Sequence, residues 1–160
     1  GLPLCCDCEK KERTLPFMSA CFFSYYRDIN DVKNAIYYIK NAISEYDICC
    51  HNPESRMYIP DLVKCMYKYI DYINLNDAVT CDFGKEENYF NSLIDYIAQN
   101  KDYDDPFSFM EYLFSLYRLY KTRNDEKAKF YKEKIINYYL HLDDAYKENE
   151  RLAKIIEKVN

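Results

Sequence analysis

A chain of 160 residues with 27 acids, 22 bases and a net charge of −5 is long enough for one domain with one sizeable core, and its interspersed charges lack the basic block that a nucleic-acid partner requires. Two glycines, Gly1 and Gly84, leave little room for the positive-φ turns of tight hairpins or for a phosphate-cradling loop. No run approaches the roughly 18–20 apolar residues that cross a bilayer, so no membrane span is expected; Gly1 reads as a cloning remnant, with any signal peptide or anchor outside these residues.

The opening stretch, 1–14, has no period and is dense in cysteine and charge, which predicts an extended arm held by its thiols. A helical core is expected over 15–123. Thr14 is a candidate N-cap and Pro16 suits a first helical turn. Phe17, Cys21, Phe22 and Tyr25 then mark one face of a helix ending near Asp28. Asn30 or Asp31 caps a second helix, in which Val32, Ala35, Ile36, Ile39, Ala42, Ile43 and Tyr46 recur at i, i+3, i+4, i+7. The run Cys49-Cys50-His51-Asn52-Pro53 ends it, and a polar loop leads to Pro60. Leu62, Cys65, Met66, Tyr69, Ile70 and Ile73 repeat the template in a third helix that stops near Asn74 to Asn76. A loop through Thr80, Cys81 and Gly84 precedes a fourth, with Phe90, Leu93, Ile94, Ile97 and Ala98 on its buried side. Asp105-Pro106 is a start signal for a fifth, burying Met110, Leu113, Phe114, Tyr117 and Tyr120.

Asn124 caps the last element, with Asp125 and Glu126 placed well against the helix dipole. From there Ala128, Tyr131, Ile135, Tyr138, Leu142, Ala145, Asn149, Leu152, Ile156 and Val159 recur at steps of three and four, a heptad seam with one polar interruption, Asn149. The spacing predicts a continuous C-terminal helix over 124–160, a rod of about 50 Å at roughly 1.5 Å per residue, able to serve self-association. Asp143-Asp144 capping a separate short helix is the alternative. The fold class expected is therefore all-α, a single domain built as a five- to six-helix bundle with a long C-terminal helix.

Eight cysteines, Cys5, Cys6, Cys8, Cys21, Cys49, Cys50, Cys65 and Cys81, occupy only the N-terminal half. An even count in one region predicts a disulfide framework and an oxidising compartment, secreted or cell-surface; the alternative is a reduced cytoplasmic chain using Cys as a small core hydrophobe, which suits Cys21 and Cys65. Adjacent cysteines do not bond to each other comfortably, so Cys49 and Cys50 are expected to reach different partners. Cys5-Cys6-Asp7-Cys8 with Cys49-Cys50-His51 offers soft ligands, but not the paired knuckles that present two sulfurs each to one zinc, and neither metal nor cofactor is expected. Nucleophilic catalysis would need a base beside Cys or Ser; His51 reads as a loop residue and His141 as a surface one. The pairs Asp104-Asp105 and Asp143-Asp144 read as helix caps rather than as acid and base. No catalytic residue is assigned.

Nineteen tyrosines remain to be explained. Adjacent pairs such as Tyr25-Tyr26, Tyr37-Tyr38 and Tyr138-Tyr139 lie about 100° apart on a helix, so both members cannot face inward. Tyrosine supplies large contact area at low entropy cost and is enriched in binding patches. Tyr26, Tyr37, Tyr38, Tyr67 and Tyr139 are the candidate partner-binding residues, against the alternative that coding bias places Tyr at boundary positions.

The paired cysteines and the element running from Cys50 through Tyr58, Leu62, Cys65, Tyr67 and Tyr69 resemble the Cys-bearing, tyrosine-rich helical ectodomain of the Plasmodium interspersed-repeat (PIR or VIR) antigens. The resemblance covers roughly residues 20–75 and implies an exported or surface-displayed malaria-parasite protein that meets host molecules. The expected function is non-enzymatic binding of a host receptor or another parasite surface protein through aromatic helical faces. The alternative is a viral or parasite intracellular adaptor with reduced cysteines that binds a partner helix.

Overall fold

Four of the helices begin where a short polar side chain satisfies loose backbone amides. A computed structural model describes residues 17–52, 55–100, 103 and 105–160, without the side chains of 55 and 56. The arm 1–14 with Cys5, Cys6 and Cys8, and also Pro16, Pro53 and Asp104, lie outside the described residues. Helix α1 covers 17–28. It is followed by α2 (Val32–Cys50), a 3-10 turn (Ser55–Tyr58), α3 (Ile59–Leu75), α4 (Phe83–Asn100), α5 (Pro106–Lys121), α6 (Asp125–Leu140), α7 (Asp144–Lys147) and α8 (Glu150–Val159).

The N-terminal caps fall on short polar side chains. Asp31 accepts from the Asn34 amide at 3.2 Å, and Asn124 from the Lys127 amide at 3.1 Å. Asp105 takes the amides of Phe107 and Ser108 at 3.1 and 3.2 Å, with Pro106 opening α5. Two helices end without glycine. Asn30 and Asp77 adopt left-handed backbone, φ 60° and 50°, and the following amides reach back five residues, Asp31 N–H to Tyr26 O at 2.9 Å and Ala78 N–H to Ile73 O at 2.8 Å. That closure satisfies the last carbonyls, and Asn and Asp tolerate the conformation better than other side-chain-bearing residues.

Helices α3 and α5 form the centre: α2 packs on α3, α3 on α5, and α5 on α6. The main core joins Ile39, Ala42 and Ile43 of α2, Leu62, Met66 and Ile70 of α3, Phe90 and Ile97 of α4, and Leu116 and Leu119 of α5. A smaller core lies on the other side of α5, where Met110 and Phe114 meet Ile135 of α6 and Leu152, Ile155 and Val159 of α8.

Three expectations are corrected. Eight α-helices occur among the described residues, not five or six, because the long C-terminal helix is broken twice. The chain turns at His141 and Asp143 into α7, and Asn149, the polar interruption of the seam, is the N-cap of α8, accepting from the Arg151 and Leu152 amides at 2.9 and 3.4 Å. Folding back lets Leu152, Ile155 and Val159 bury against α5 and α6 within one chain, where a straight rod would expose them or require a second copy. The second correction concerns thiols. No described cysteine is bonded to another described cysteine; Cys21 and Cys81 are exposed on separate elements, and Cys65 faces the core. The third is the face of α1: Ser19 and Phe23 point inward, whereas Phe17, Cys21, Phe22 and Tyr25 are exposed. Ala98, expected inside, is exposed as well.

Among the described residues no helix is long and apolar enough to cross a membrane.

Candidate interaction surface

The inward turn of Phe23, edge-on to Tyr72 at 5.4 Å, fixes the rotation of α1 and thereby what its outer side presents. Met18, Phe22, Tyr25 and Ile29 sit at i, i+4, i+7 and i+11, so they line one outer stripe, and all four are exposed. The stripe continues onto α2 through rings. Phe22 lies 4.9 Å from Tyr38, Tyr38 stacks on Tyr26 at 5.4 Å with planes 2° apart, and Tyr25 and Tyr37 each stand edge-on to their neighbours, Tyr26 and Tyr38, at 5.1 Å. Five rings are thus held in one continuous set. Its outer members remain open to solvent, Phe22 at 42%, Tyr25 at 58% and Tyr37 at 58%, while Tyr26 and Tyr38 are half-buried against the core.

Several of the other tyrosines hold helices together. Tyr69 donates to Glu86 and Tyr89 to Asp47, tying α3 and α2 to α4. Tyr112 donates to Asn91 Oδ1 at 2.8 Å, and Tyr131 to Glu87 Oε2 at 2.6 Å. Burial and the neighbouring carboxylates push the hydroxyls of Tyr69, Tyr89 and Tyr131 well above the ordinary tyrosine value, so they remain donors. Of the five predicted binding tyrosines, Tyr26, Tyr37 and Tyr38 meet in the α1–α2 set. Tyr67 is half-buried on α3 beside Arg151 and Glu111. Tyr139 donates to the Lys147 carbonyl at 2.8 Å and fastens α7 to α6. Phe22 and Tyr25, missed as binding residues, complete the set; the i, i+4, i+7 spacing was visible, but α1 carries two apolar stripes and the period does not say which one faces in.

The groups with chemical potential are arranged as ties rather than as a reactive centre. His51 Nε2 lies 3.0 Å from Asp47 Oδ1 and its ring 4.8 Å from that of Tyr96, while Tyr89 takes the other Asp47 oxygen. This set joins the end of α2 to α4. Cys49 and Cys50 beside it are buried. Burial pushes the Cys65 thiol up to about 12, opposite to an activated thiolate. The Tyr46 hydroxyl is raised first by burial and then by Asp61 and the thiols of Cys65, Cys49 and Cys21. Among the described residues no three His, Cys, Asp or Glu side chains are grouped to hold a metal ion. Asp105 serves as the α5 cap; burial raises its pKa, but hydrogen bonds from Ser108, Tyr103 and two amides outweigh it and leave the carboxyl below its ordinary value.

No family model, curated protein or solved structure matches this chain.

Proposed function

We infer that the chain is a non-enzymatic recognition module, secreted or displayed on a parasite-type cell surface, that binds a host or partner protein through the aromatic face of α1 and α2. The observation that carries this reading is the exposed stripe Met18, Phe22, Tyr25 and Ile29, continuous with the ordered rings of Tyr26, Tyr37 and Tyr38. Pre-ordered aromatic rings lose little freedom on contact, bury large area, and carry a polar tip for the rim of an interface, which is the make-up of a binding hot spot. The likeness of the Cys50–Tyr69 element to the Plasmodium antigens supports display at the parasite surface.

The test is saturable binding of labelled chain to host blood-cell surfaces, before and after protease treatment of the cells. The variant Phe22→Ser/Tyr25→Ser/Tyr37→Ser, checked for unchanged helix content, is expected to lose at least about thirtyfold in affinity, the least that removing one hot-spot ring costs. Equal binding by the variant, or binding that survives protease, overturns the reading. Mass measurement before and after alkylation without reductant tests the compartment: eight alkylated thiols would place the chain in a reducing one. The second reading, an intracellular adaptor for a partner helix, is favoured by Cys65, which behaves as a core hydrophobe.

A further inference from the structure

Helices α4 and α6 run in the same direction beside α5. Their first halves are clamped together: Glu87 of α4 holds Lys127 Nζ at 2.5 Å and the Tyr131 hydroxyl at 2.6 Å. About two to three turns further along both helices a groove of about 400 Å³ opens between them. Ile94 and Ala98 form one wall, Phe109 and Leu113 the floor, and Lys134 and His141 stand on the other wall. No carboxylate lines it among the described residues.

We propose that this groove binds a monoanionic single-chain amphiphile of the fatty-acid class, with the alkyl chain between Ile94, Ala98, Phe109 and Leu113 and the carboxylate at Lys134 and His141. Three features select that occupant. The volume falls in the range of small-molecule clefts, about 300–1,000 Å³, and the space is exposed mainly because Ala98 offers only a methyl group where its helical neighbours are large. The walls are mostly apolar, with Asn137 and Tyr138 the polar exceptions, so a ligand polar along its whole length would lose more hydration than they replace. Among the described lining residues the standing charge is that of Lys134, and it lies on one side. His141 Nδ1 sits 2.7 Å from the Asn137 carbonyl; a carbonyl only accepts, so Nδ1–H donates to it, and Nε2 can donate to a carboxylate oxygen only in the imidazolium form, which leaves Lys134 as the standing charge of the headgroup site. Lys134 Nζ rests 4.9 Å above the Phe130 ring, an exposed position from which it reaches the mouth of the groove.

Displacement of dansyl-undecanoate by octanoate, decanoate and dodecanoate, each kept monomeric, tests the proposal. Affinity is expected to rise by about fourfold per added methylene while the chain still finds wall, with methyl NMR shifts confined to Ile94, Ala98 and Leu113. Ala98→Phe fills the groove from an exposed position and is expected to abolish displacement with thermal stability retained. Lys134→Gln is expected to weaken dodecanoate by about 2–5-fold, the scale of an exposed ion pair, and to leave dodecanol unchanged. Binding that Ala98→Phe leaves intact overturns the site, as does equal weakening of acid and alcohol by Lys134→Gln for the headgroup. Sedimentation with phosphatidylserine vesicles in the absence of monomer binding, or a dimer that Ala98→Phe dissociates, assigns the face to another occupant and overturns the proposal.

Discussion

Glu87 is the residue whose replacement most sharply separates a structural tie from an incidental contact. It is 4% exposed, accepts the Tyr131 hydroxyl at 2.6 Å and pairs with Lys127 Nζ at 2.5 Å. Glu87→Leu keeps the bulk and removes both interactions, with unequal consequences. The Lys127 side chain is 42% exposed, so its ammonium turns to water, and the loss is about 0.5–1 kcal/mol. Tyr131 is 1% exposed. Its oxygen still accepts from Asn91 Nδ2 at 3.1 Å, but its own proton has no acceptor, which costs about 1–3 kcal/mol. The net expectation is about 2–3 kcal/mol, or about 4–10 °C in Tm for a chain of this size. Urea unfolding followed by helical circular dichroism measures it. Tyr131→Phe alone takes the donor from Glu87 Oε2, whereas Glu87→Leu/Tyr131→Phe strands neither group, so the double variant should be less damaged than the sum by about 1–2 kcal/mol. Additivity within about 0.5 kcal/mol, or a neutral Glu87→Leu, refutes the reasoning.

Four further outcomes are expected. Asn30→Gly relieves a side chain from left-handed backbone and should stabilise by about 0.5–1 kcal/mol in the same assay. Asn149→Ala removes the α8 cap and should cost about 1 kcal/mol, with hydrogen exchange rising first in Glu150–Val159; protection that is unchanged there would show that packing alone holds α8. Asp105 has its carboxyl lowered on folding, so its contribution is present above the ordinary Asp value near 3.9 and is lost as pH falls through the lower folded value. Asp105→Asn, which keeps a capping oxygen without titrating, should flatten the acid limb of Tm against pH. Under native conditions Cys21 and Cys81, both exposed, should alkylate quickly, and Cys65, buried with its thiol pushed up to about 12, only as the chain unfolds.

The apolar period located α2 to α5 because each of those helices buries one broad stripe, and the caps Asp31, Asp105 and Asn124 stand where their types predict. It misled at the C-terminus for a definite reason. Leu152 and Val159 keep phase with Ile135 whether the chain runs straight or folds back, and only the capping preference of Asn149, here read as a flaw in a seam, distinguishes the two. On α1 the stripes 18, 22, 25, 29 and 19, 23, 26 are both rich in large side chains; which is buried was decided by the fit of Phe23 against Tyr72, a contact between residues far apart in sequence. The binding tyrosines were legible as pairs but not as partners: the acids that hold Tyr89 and Tyr131 lie about forty positions away, beyond what helical spacing reveals. The groove depended likewise on the small size of Ala98 against residues on two other helices.

Hydrogen–deuterium exchange of the chain with and without a captured host protein tests the central claim, that the partner docks on α1 and α2. New protection is expected within 17–29 and over the Tyr37–Tyr38 turn, where Phe22, Tyr25 and Tyr37 stand exposed. Protection elsewhere with those segments unchanged would contradict it.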